Sequence, residues 1–366
     1  MRTLLIPCLP ILALAACKGN AADNDQTTAT GLLFPSYTPE FSVVANSRDG
    51  VDSPQDLDFH PADDRANELW VVNRGSEDSG SDVVIIFDVT DDETAMEVRR
   101  DANAWHFMNL TTAIAFSPDT ENWANSPEIT DANHSGGTFT GPSLWSSDLD
   151  VFAMPSGGNG SHIDMLHQSP NSMGIAHHRN DAYFVFDGYT DELVRYDFKD
   201  DHGPGNDYHG DGELKRYSEV PIERVENTPS HMVIDHETDW MYIADTAGGR
   251  VLRMDVTSGT RDGNISPNFE PLAEYLQMKD EVWEVFAEGL DQPCGIDVDG
   301  ELLYVTDRAT GEIIAYELAS SEEVGRIETD AGAIMGIKLG VDGNIYYVDR
   351  RADEVVRIDQ GPLAAD

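Results

Sequence analysis

The chain has 366 residues, with 68 acidic against 23 basic side chains and a formal charge of −45. That balance excludes a phosphate-reading nucleic-acid surface, which needs clustered Lys and Arg, and electrostatic docking on anionic lipid. Hydrophobic residues make up 40% of the chain, too many for a disordered polymer, and beyond residue 17 no apolar run approaches the ~20 residues of a membrane helix.

The first element is an address. Met1-Arg2-Thr3 is a short basic start, and residues 4–16 are an apolar stretch broken by Pro7 and Pro10, which reads as a secretory signal. It ends Leu14-Ala15-Ala16-Cys17, which resembles the bacterial lipobox. The resemblance implies cleavage before Cys17, a diacylglycerol on its sulfur and an acylated amino terminus. Lys18 follows in place of Asp, similar to the outer-membrane sorting pattern, so the expected location is the bacterial cell envelope, as an outer-membrane lipoprotein. The expected division is a signal at 1–16, a lipidated and flexible tether at 17–40, and one folded domain at 41–366. Cys8 leaves with the signal and Cys17 carries lipid, so Cys294 is the only thiol of the body. It has no intrachain disulfide partner and reads as a buried inert thiol, an intermolecular bridge or a metal ligand.

The body repeats one pattern six times: a short apolar strand, a turn, an aromatic-rich strand ending in Asp or Asn, then a third strand. The first-strand anchors, in chain order, are Gln55, Thr112, Met173, His231, Cys294 and Met335. Their spacings of 57, 61, 58, 63 and 41 residues leave only the last near the ~40–50 of compact propeller repeats, so the others carry insertions. Residues 124–149 of the second repeat read as a loop over the channel face, and 269–279 of the fourth as a short inserted helix. Asp299-Gly300 and Asp342-Gly343 supply tight hairpin turns. Six such repeats predict an all-β, six-bladed propeller. The sixth repeat lacks a fourth strand, and residues 41–45 (Phe41-Ser42-Val43-Val44-Ala45) are predicted to supply it and close the ring.

Pro293-Cys294-Gly295-Ile296-Asp297 with Leu302-Leu303-Tyr304-Val305-Thr306-Asp307, and Met335-Gly336-Ile337 with Ile345-Tyr346-Tyr347-Val348-Asp349, resemble the NHL-type six-bladed propellers. The match runs over about 41–359 and is clearest in repeats three to six.

Two rings of residues are expected on one face of such a propeller. The inner ring offers Met173, His231, Cys294 and Met335, a thioether, imidazole, thiol and thioether set that copper(I) selects. The alternative is that these side chains plug a narrow apolar channel. The outer ring follows the second strands and places Arg74, Arg308 and Arg350 on one arc, with Gln55 nearby. Three guanidinium groups on so acidic a chain suit a carboxylate or phosphate; the alternative is local pairing with acids. The Asp residues that end those strands read as loop-fixing acceptors. His167 and His134 are further metal candidates, with zinc requiring convergence with His231. The segment from Asp200 to Gly212 is a calcium candidate, but counting from Asp207, the positions of two calcium donors hold His209 and Ser218.

Two functions follow. One is a membrane-anchored binding propeller presenting a metal ion, a small anionic ligand or a partner protein at its channel mouth. The other is a metal-dependent lyase or hydrolase: Asn73-Arg74-Gly75 and Pro229-Ser230-His231 resemble the peptidyl-hydroxyglycine amidating lyase family, although Met173 and Cys294 stand where that family would place zinc-binding His.

Overall fold

The computed structural model describes residues 37–363, apart from 92–93, 155–157, 207 and 267. The signal, Cys17, most of the tether and the first position of the calcium candidate lie outside the described residues. The chain opens with β1 (Tyr37–Asn46). Blade one is β2 (Pro54–Phe59), β3 (Leu69–Asn73), β4 (Val83–Ile86) and β5 (Met96–Arg99). A single helical turn, α1 (Ala104–Phe107), leads to blade two: β6 (Thr111–Phe116), β7 (Trp123–Pro127), β8 (Ser143–Trp145) and β9 (His162–Met165). Blade three is β10 (Ser172–Arg179), β11 (Ala182–Asp187), β12 (Glu192–Asp197) and β13 (Glu213–Tyr217). Blade four is β14 (Met232–Asp235), β15 (Trp240–Asp245), β16 (Arg250–Asp255) and, after an inserted hairpin of β17 (Thr260–Asn264) and β18 (Glu274–Lys279), β19 (Trp283–Glu288). Blade five is β20 (Pro293–Asp299), β21 (Leu302–Asp307), β22 (Glu312–Glu317) and β23 (Glu323–Glu328). Blade six is β24 (Ile334–Leu339), β25 (Ile345–Asp349) and β26 (Glu354–Leu363), completed by β1.

Alternation along each strand builds the ring. In β3, Leu69 and Val71 enter the crevice toward blade six, while Trp70 and Val72 enter the crevice toward blade two. Both faces are buried, which is why the second strands read as unbroken apolar runs. Six apolar clusters fill the six crevices. The first strand of every blade packs on the first strands of both neighbours, so the six surround one axis. This is the predicted six-bladed β-propeller. β1 closes it, pairing antiparallel with β26 in the register Phe41↔Ile358, Val43↔Val356 and Asn46↔Glu354.

Two expectations are corrected. Residues 274–279 form a strand, not a helix: β18 pairs parallel with β13 (Leu214↔Tyr275), so the hairpin from blade four extends the sheet of blade three. The unpaired edge of β13 supplied hydrogen-bond partners that no local signal encodes. Residues 124–149 are not one loop, because β7 and β8 lie within them. Trp145 is fully buried, stacked on Trp123 at 5.7 Å, and its indole donates to Asn125 at 2.7 Å.

Candidate functional site

The inner anchors do not all point into the axis. In five blades the pairing of first and second strand slips at the anchor: at Gln55, Thr112, Met173, Cys294 and Met335. A bulge re-aims the side chain it carries. Met173 joins the apolar cluster between blades three and four, whereas Cys294 and Met335 join the cluster between blades six and one. The Cys294 thiol donates to the Ile334 carbonyl at 3.3 Å, and burial pushes its pKa up to about 12. His231 sets its Nε2 2.9 Å from the Thr112 carbonyl and its Nδ1 3.5 Å from Asp56. The four soft donors are therefore divided between separate environments. After Met173 and Cys294 come Gly174 and Gly295, where a Cβ would overlap the carbonyl oxygens of Ser230 and Met335 in the next blade. The axis is tight at this level.

The outer ring assembles. Asp307 accepts backbone N–H bonds from Asp291, Gln292 and Ala309, and Asp349 does the same for Gly332, Ala333 and Arg351. Asn73 accepts from the Asp52 N–H in blade one. These side chains clamp the loops, and the arginine that follows each is set by an equivalent backbone bond: Arg74 to Ser53, Arg308 to Gln292 and Arg350 to Ala333. Arg74 and Arg350 meet at Asn227, which accepts from Arg74 at its side chain (2.8 Å) and from Arg350 at its carbonyl (2.7 Å). Arg74 also pairs with buried Glu128 at 2.8 Å. Burial, then the positive charges of Arg74 and Arg308, hold the Arg350 guanidinium below its ordinary pKa. The three arginines thus share one electrostatic space. Arg308 donates to Gln292 Oε1 at 2.9 Å, while its Nε is buried with no partner among the described residues. Gln55 is fully buried, its amide nitrogen donating to the Ser53 carbonyl at 2.8 Å and its Oε1 without a partner among the described residues.

A charged cluster that the repeat pattern did not reveal lines a cavity of about 440 Å³. Lys338 lies 3.2 Å from Asp297 and 3.5 Å from Asp58, while Asp56 faces His231. Each carboxylate also accepts a backbone N–H from the first strand of the next blade: Asp56 from Ile114, Asp58 from Phe116, Asp297 from Leu339. Burial pushes Asp56 up to about 6, against the pull of His231. Burial opposes the Lys338 charge, yet the carboxylates of Asp297, Asp58 and Asp56 hold its pKa above the usual lysine value. The signal in the sequence was an ionisable residue inside an apolar first strand in three successive blades: Asp297, Lys338 and Asp58.

His167, His134 and His231 line three different cavities. Among the described residues, no three His, Cys, Asp or Glu side chains surround a point closely enough to hold a metal ion. In the calcium candidate, Asp211 is turned to His202 at 2.9 Å, and Asp201 accepts the Gly203 N–H.

Among solved structures, the chain is similar to an auxiliary nutrient binding protein from Bacteroides ovatus, at 11% identity over 89% of this chain and 78% of that one, with a TM-score of 0.58. It is also similar to a protein of unknown function from Bacteroides thetaiotaomicron (13% identity, 88% and 76% covered, TM-score 0.55). A third is a luciferin-regenerating enzyme (10% identity, 90% and 98% covered, TM-score 0.52). At such identities the likeness is one of fold alone. No protein-family model matches the chain, and no curated protein does.

Proposed function

We propose that this propeller binds a small molecule carrying a carboxylate or phosphate group on Arg74, Arg308 and Arg350, and that lipid on Cys17 holds it at the membrane. One observation carries the ligand reading. Although the chain has 68 acidic side chains, neither Arg308 nor Arg350 has an ion-pair partner among the described residues, and the two sit beside a third arginine. Like charges crowded in a half-buried site raise the free energy of the empty protein, and an anion accepting bidentate bonds relieves that repulsion. A soft-metal function draws no support from this geometry, because Met173 lies in a different crevice from Cys294 and Met335, the Cys294 thiol turns to the Ile334 carbonyl, and His231 Nε2 faces the Thr112 carbonyl. The lyase reading likewise lacks a converged set of zinc donors among the described residues.

Calorimetry with inorganic phosphate, citrate and small hydroxy acids tests the ligand. At least one should bind, and Arg308→Ala and Arg350→Ala should each weaken it by about 10- to 100-fold, the worth of hydrogen bonds to a charged group. No binding by any of them, or binding indifferent to both substitutions, rejects the reading. The anchor is tested separately: Cys17→Ser should move the protein from membrane to soluble fractions.

A further inference from the structure

A second cavity, of about 370 Å³, opens between α1, the β7–β8 loop, β9 and the β12–β13 loop. That is within the size range of small-molecule pockets, about 300–1,000 Å³. Among the described residues, no Asp, Glu, Lys or Arg lines it, on a chain in which 25% of residues are charged. An ionic ligand would find no charged side chain among these described lining residues.

The walls offer hydrogen-bond acceptors instead. His106 Nδ1 lies 2.9 Å from the Ala132 carbonyl, His162 Nδ1 2.9 Å from the Asn159 carbonyl, and His167 Nδ1 2.8 Å from Glu270 Oε2. Carbonyl and carboxylate oxygens only accept, so Nδ1 carries a proton in each ring, and where the ring is neutral Nε2 is left with a lone pair. Burial lowers the pKa of His106 and holds His162 at about 4, so both are neutral near pH 7. His167 is 3% exposed, and its Nε2 is buried without a partner among the described residues. These lone pairs do not meet at one point, as a metal site requires. The three rings come from different segments of the lining, His106 from α1, His162 from β9 and His167 from just after β9, as a ligand with several hydroxyls requires. Apolar faces complete the lining: Phe139 stacks on His167 at 3.5 Å, and Trp105 is 43% exposed. An exposed indole beside uncharged polar groups suits a ligand with one apolar face and polar edges.

From this lining we propose that the pocket binds an uncharged sugar, its apolar face on Trp105 and its hydroxyls hydrogen-bonded to Nε2 of His106, His162 and His167. The site is independent of the arginine mouth. Thermal melts and tryptophan fluorescence of the full chain, titrated with neutral hexoses, N-acetylhexosamines and their disaccharides, test it. At least one sugar should raise the melting temperature and change the fluorescence saturably. Trp105→Ala, at an exposed position that leaves the core intact, should weaken that sugar about tenfold or more. His167→Gln should weaken it as well, while Arg350→Ala should leave it unchanged. The proposal is overturned if no sugar in the panel shifts the melt, or if the shift survives Trp105→Ala. It is also overturned if zinc ion alone binds stoichiometrically and His167→Gln abolishes that binding.

Discussion

Asp56 and Cys294 show how burial sets the chemistry of single side chains near the axis. The Asp56 carboxyl moves from 3.8 up to about 6. Between those values the folded chain keeps a proton that the unfolded chain has lost, so this group makes stability fall as pH rises through the window, by roughly 3 kcal/mol in all. Asp56→Asn should remove that slope. Urea unfolding at the two ends of the window checks it: the parent should lose more stability toward neutral pH than the variant does. Cys294 behaves as a small apolar side chain with a protonated thiol. Iodoacetamide should leave it unmodified in the native protein and label it only in denaturant, read from the mass of its peptide. Rapid native labelling would mean that the thiolate is accessible to solvent, contrary to this burial.

At the scale of elements, the ring depends on one long-range pairing. β1 covers the edge of β26, and Ala45 packs into the cluster between blades six and one. Without β1 that edge offers unpaired N–H and C=O groups to another chain. A chain beginning at Ser47 should therefore melt lower than one beginning at Tyr37, and should self-associate in size-exclusion chromatography. Equal melting and a monomeric elution would show that blade six holds its edge unaided. The β17–β18 hairpin makes a comparable link between blades. It carries blade four's chain onto blade three and, just before β18, delivers Glu270 to His167.

Across the whole molecule, a charge of −45 surrounds a local concentration of arginine. The two act over different distances. Repulsion of an approaching anion by the distributed acids is long-ranged and is screened beyond about 8 Å at physiological ionic strength, whereas contacts to Arg308 and Arg350 are short and partly buried. Stopped-flow association of an anion that binds this site should accordingly speed up as salt is raised from low values, the reverse of the usual steering effect. A rate that falls with salt would place the arginines in a field already positive, contrary to the balance of charge.

The fold was legible because its information is local and repeated. Apolar runs buried on both faces, Asp-Gly turns and six recurrences define blades without reference to distant residues, and the missing strand at the end of the sixth required an N-terminal one. The arginine arc was legible for the same reason: the Asp or Asn that clamps each loop stands immediately before the arginine it positions, in Asn73-Arg74, Asp307-Arg308 and Asp349-Arg350. The direction of the inner side chains was not legible. Bulges at Gln55, Thr112, Met173, Cys294 and Met335 break the alternation from which direction is read, and they arise where neighbouring first strands crowd the axis. Nor does any local pattern join His167 to Glu270, or Asp56 to His231. Those contacts exist only because the ring brings segments from different blades together, and burial in that ring then holds the Asp56 carboxyl above its ordinary pKa.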